Sequence, residues 1–112
     1  MLGFKMPKND SKYEWTNHVK DKMLYYGISE SLIKRIVRFP KRKEEGIAPG
    51  TQAVMQSNTN PKKPTEIWVM YKQIDDTKKK IISAWRYPGI SPVGKKIPIP
   101  DDILAEIENV LD

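Results

Sequence analysis

Apolar residues recur first at helical and then at alternating spacing, and the period changes at Pro40. Trp15, Val19, Met23 and Tyr26 stand four, four and three residues apart. That stripe predicts a helix over about Thr16 to Tyr26, with Thr16 as its N-cap. Gly27 ends it, because glycine adopts the left-handed C-terminal conformation without a side-chain clash. Ser29 is a second N-cap, and Leu32, Ile33, Ile36 and Val37 form the apolar face of a helix running to about Arg38, where Pro40 stops it. So short a connection predicts an αα-hairpin. Residues 1–12 lack any period and read as a flexible tail before a single domain over 13–112.

Beyond Pro40 the pattern alternates. Arg42 to Ile47 and Thr51 to Gln56 read as strands joined by the turn Ala48-Pro49-Gly50, and residues 57–64 as an exposed loop. Glu66 to Ile74 is a strong strand with Ile67, Val69 and Tyr71 on one face and Trp68 and Met70 on the other, the mark of a central strand covered on both sides. Asp75 to Lys78 turns the chain into a returning strand over Lys80 to Tyr87. Four prolines and two glycines in residues 88–100 predict an irregular crossing. From Pro100 an amphipathic helix follows, with Ile103, Leu104, Ile107, Val110 and Leu111 as its apolar face. The expected fold is α+β: an N-terminal αα-hairpin, a four-stranded antiparallel meander and a C-terminal helix.

Charge changes the picture. The net charge of +6 divides into five acids and no base in residues 101–112, against 20 bases and nine acids in the first hundred. A body this basic attracts phosphate polyanions, although the same charge can serve solubility alone. The acidic last helix masks part of that body, marks where a partner docks, or completes the core. The absence of cysteine excludes a disulfide scaffold and a thiol nucleophile. No apolar run resembles a signal peptide or approaches the roughly 20 residues of a membrane span, so a cytoplasmic protein without membrane contact is expected.

Three groups of residues carry candidate chemistry. His18, Lys22 and Tyr25 make a second stripe on the first helix, where an imidazole one turn from an ammonium can hold a phosphate or move a proton. A helix also has a polar face that needs no task. Lys34, Arg35, Arg38, Lys41, Arg42 and Lys43 put six bases within ten residues, a local field suited to phosphate. Arginine forks match phosphate geometry best, so Arg35, Arg38 and Arg42 are the stronger anchors beside Lys41 and Lys43. The same bases also suit a protected sheet edge, and Glu44 and Glu45 are their nearest partners in sequence. In Ser83 to Gly89, Trp85 and Tyr87 share one face, available for core packing or base stacking. Arg86 shares the other with Ile82 and Ala84, so it needs a carboxylate or a cleft at the strand end. With no glycine-rich phosphate loop, no nucleophile elbow and a single histidine, no metal or cofactor is expected, and a two-histidine ribonuclease mechanism is excluded.

The run Trp15-Thr16, His18, Lys22-Met23 and Gly27-Ile28-Ser29, followed by Ile33, Ile36, Val37 and Pro40, resembles the opening of small toxin-like bacterial and phage proteins of the barnase–colicin–RelE ribonuclease-like fold. The resemblance covers about residues 14–88; the Pro-rich segment and the acidic helix depart from it. It implies a metal-independent endoribonuclease, or a relative that binds RNA or the translation machinery, with an antitoxin-like protein as a further candidate partner. Carried over by position, His18 and Lys22 match the helix motif, and Arg86 and Tyr87 fall where a late strand supplies catalytic or phosphate-binding groups. The expectation is RNA cleavage by 2′-hydroxyl attack. His18 would move the proton, and Lys22, Arg38 and Arg86 would stabilise charge on the phosphate. The alternative is a non-catalytic nucleic-acid- or partner-binding module. Catalysis requires these four side chains in one cleft.

Overall fold

The computed structural model describes residues 5–47, 49–58, 60 and 62–111. Residues 1–4 of the expected tail, Ala48 of the turn, Thr59 and Pro61 of the loop, and the side chains of Val110 and Leu111 lie outside the described part. The elements are β1 (Tyr13–Trp15), α1 (Asn17–Tyr26), α2 (Glu30–Arg38), β2 (Arg42–Glu45), β3 (Thr51–Ser57), β4 (Thr65–Gln73), β5 (Lys79–Pro88) and α3 (Asp101–Leu111).

The helix signals act as read. Thr16 Oγ1 accepts from the amide of Val19, and Ser29 Oγ from that of Leu32. Gly27 closes α1 at φ 67°, its amide donating to the carbonyl of Met23. The fold remains α+β, but the expected layout is corrected. The sheet has five strands in the order β1-β5-β4-β3-β2, and β1 lies parallel to β5 at one edge. It is therefore a mixed sheet that begins before the first helix, rather than a four-stranded meander following a hairpin. Nor do α1 and α2 form a self-packed αα-hairpin: α1 packs on β5, and α2 on β3 and β4. Three residues are too few to show alternation, and parallel pairing joins segments more than sixty residues apart, so β1 left no local signal.

β4 is flanked by β3 and β5, and both its faces are buried. Ile67, Val69 and Tyr71 join Val19, Met23, Ile33 and Ile36 in one cluster, while Trp68 and Met70 join Trp85, Ile103 and Ile107 in the other. A bulge then re-aims β5: Met70 pairs with Ser83 but Tyr71 with Ile81, which leaves Ile82 as an extra residue. Ile82 consequently lies with Trp85 in the α3 cluster, not beside Ala84 as strict alternation implied. Leu104 is also displaced from the expected stripe; it is 49% exposed, whereas Ile103 and Ile107 are buried.

Candidate functional site

His18 and Lys22 do come together, at a polar seam joining α1, β5 and α3. His18 Nδ1 lies 2.9 Å from Glu106 Oε2, and its Nε2 lies 2.8 Å from Ser83 Oγ. Lys22 Nζ donates to Asp102 Oδ2 at 2.7 Å and to Glu106 Oε1 at 3.2 Å. Two cationic or protonatable groups four residues apart on α1 thus meet two carboxylates four residues apart on α3. The neutral tautomer that satisfies both histidine contacts carries its proton on Nδ1, donates it to Glu106 and accepts from Ser83. The i, i+4 spacing puts each pair on one face of its own helix, but nothing local in the sequence says that the two faces meet.

A serine, a histidine and a glutamate in hydrogen-bonded sequence have the order of a nucleophilic triad. Accessibility argues against that chemistry. Ser83 is fully buried, and the helix that supplies Glu106 also covers the sheet face on which Ser83 lies. Lifting the helix to admit a substrate would withdraw the acid. The seam is a latch between elements.

Its titration is readable. Burial, the largest influence, pushes the His18 imidazole below its ordinary value; Glu106 opposes this, Lys22 adds to it and Asp21 weakly opposes. Between that lowered value and about 6.5 the unfolded chain binds more protons than the folded one. Stability should therefore rise with pH across this window and fall on acidification. Urea unfolding at pH 5 and 7.5 checks this: His18→Gln should flatten the difference, and an unchanged slope in that variant contradicts it. Burial also acts against the charge on Lys22, but the Asp102 and Glu106 carboxylates together outweigh it and raise its value.

Arg86 does not join the seam. Its Nε donates to the carbonyl of Tyr26 at 2.7 Å and Nη2 to that of Gly27 at 3.0 Å. It thus caps the C-terminal end of α1, where carbonyls lack helical partners and positive charge is favoured. Of the two expected settings, a carboxylate partner or a cleft at the strand end, the first is not met: its partners are carbonyls. Eight residues of helix separate His18 from Tyr26, or about 12 Å along the axis. Tyr87 is half-buried against the α3 cluster. Trp85 is core: it stacks on Trp68 at 6.3 Å, and its Nε1 donates to the carbonyl of Pro98 at 2.7 Å. Arg38, at the exposed end of α2, is a surface residue. The four side chains expected to converge occupy three places.

The six bases of residues 34–43 divide as well. Lys34 pairs with Glu30 at 2.7 Å. Arg42 is consumed: Nε donates to Glu44, Nη1 to the carbonyl and hydroxyl of Ser91, and Nη2 to the carbonyl of Pro92, while its guanidinium lies 5.2 Å over the Trp68 ring. It fastens the irregular segment to the sheet. Lys41 Nζ donates to Ser57 Oγ at 2.8 Å. Among the described residues, Arg35, Arg38 and Lys43 are exposed and none forms an ion pair. Arg35 and Arg38 stand one turn apart on α2, and Lys43 pairs opposite Val54, a residue of the cluster that α2 covers. The three share one side of the sheet, with Lys41 at the adjoining edge and the exposed Lys62 and Lys63 in the β3–β4 loop.

Beside Lys41 a groove of about 520 Å³ is lined by Met55, Ser57, Pro64, Ile90 and Val93 among others. At its wall Glu66, 2% exposed, accepts from Trp68 Nε1 at 3.1 Å, the Ser91 amide at 3.1 Å and Ser91 Oγ at 2.6 Å. Sequence alone does not single out this carboxylate, because alternation places it at a strand end without revealing the distant serine.

Comparison with family models, curated proteins and solved structures gives no match for this chain. The likeness to toxin-like proteins thus rests on its short motifs alone. Among the described residues no group of His, Asp or Glu is arranged to hold a metal ion, and no helix is long and apolar enough to cross a membrane.

Proposed function

We propose that this chain is a non-catalytic binding module for the phosphate backbone of nucleic acid, engaged through Arg35, Arg38 and Lys43 with Lys41 at the margin. One observation carries the reading: these cations remain exposed while Lys22, Lys34 and Arg42 are neutralised by carboxylates and His18 has both ring nitrogens engaged. A second reading, RNA cleavage, draws on the meeting of His18 and Lys22. It requires the latch to release both groups.

One pair of measurements separates the two. Fluorescence anisotropy with a labelled RNA oligomer should give an affinity that falls by about 0.7 log unit per log unit of salt for each phosphate neutralised, hence a slope near −2 for three cations. Gel analysis of the same RNA in EDTA between pH 5 and 9 should show intact material. Cleavage products would transfer the assignment to the second reading, and absence of binding at low salt would overturn both.

A further inference from the structure

Phe39 is the one aromatic residue set inside the basic stretch, and its ring is 71% exposed. It lies between Arg38 and Lys41, with only Pro40 intervening before Lys41. Its backbone is held at both polar groups: its amide donates to the carbonyl of Arg35, and its carbonyl accepts from Gln56 Nε2 at 2.7 Å. An aromatic side chain in water forgoes the gain that burial would bring, and here it does so within a run of exposed bases.

Exposed cations with an exposed aromatic residue among them in the chain match the requirements of a single strand: charge for the backbone and a flat apolar face for an unpaired base. A duplex keeps its bases stacked inside and offers the ring nothing. An acidic peptide would use the charges but not the ring. Resting on the phosphate-binding reading above, we propose that the partner is single-stranded nucleic acid, with one base stacked on Phe39.

The experiment compares three probes of equal length at one salt concentration: oligouridylate, an abasic sugar-phosphate oligomer and a duplex. Stacking of one base corresponds to about 5- to 150-fold in affinity. The wild-type chain should hold oligouridylate tighter than the abasic oligomer by a factor in that range, and the duplex no tighter than the abasic oligomer. Phe39→Ala should erase this preference and leave abasic binding unchanged, and Phe39→Trp should keep it. Arg35→Ala with Arg38→Ala should weaken both single-stranded probes alike. Since Phe39 is exposed, its variants should fold, as circular dichroism will verify. Equal binding of oligouridylate and the abasic oligomer overturns the stacking proposal and leaves the phosphate reading standing. If no probe binds, both fall.

Discussion

Replacing Ile107 with Ala should cost about 2–5 kcal/mol of folding stability, because the methylenes lost leave a cavity that close-packed neighbours only partly fill. Ile103→Ala belongs in the same range, since both side chains are buried against Trp68, Trp85 and Ile82. Leu104→Ala, on the exposed side of the same helix, should stay within about 0.5 kcal/mol. Urea unfolding of the three variants is the check. Equal small effects at all three would mean that α3 is not part of the cooperative unit. The same result decides the role of the acidic helix: a helix that completes the core cannot be removed to uncover basic surface without unfolding the chain.

Glu66→Ala should be comparably damaging for a different reason. It leaves the indole N–H of Trp68 and both the amide and hydroxyl of Ser91 without their acceptor. A buried donor stripped of its partner costs about 1–3 kcal/mol, so the sum should reach about 3 kcal/mol even if Ser91 finds water. Ser91 also receives Arg42, so loss of Glu66 should loosen the segment around residues 90–93. Faster amide exchange there, beyond what global destabilisation explains, would report it. Protection unchanged in that segment would contradict the fastening role.

The legibility of this chain followed the range of its interactions. Helix ends at Thr16, Gly27 and Ser29 were readable because each is decided by contacts within a few residues. The two-faced strand over residues 65–73 was readable because apolar residues on both faces of an alternating run call for cover on both sides of a sheet. The parallel partner of β5 and the bulge at Ile82 were not, since each depends on a distant strand. For the same reason Arg86 was expected to seek a carboxylate or a cleft at the strand end when its partners are carbonyls of a helix end about sixty residues earlier. Histidine and lysine one helical turn apart were correctly read as neighbours. What the spacing could not tell is that Asp102 and Glu106 would take up both groups. The basic run was visible as a run, and only the fold sorts its structural members, Lys34 and Arg42, from its exposed ones.

That sorting is the central claim, and affinity for a labelled RNA oligomer at low and moderate salt tests it most directly. Arg35→Ala with Arg38→Ala should weaken binding at least tenfold at low salt and lower the salt slope by about 1.4, about 0.7 for each lost phosphate contact. Lys12→Ala with Lys72→Ala removes the same charge from exposed positions outside α2 and β2, and should change affinity less than threefold with the slope nearly unaltered. Equal losses from the two pairs would mean that only total charge matters, and would contradict a binding surface on α2 and β2.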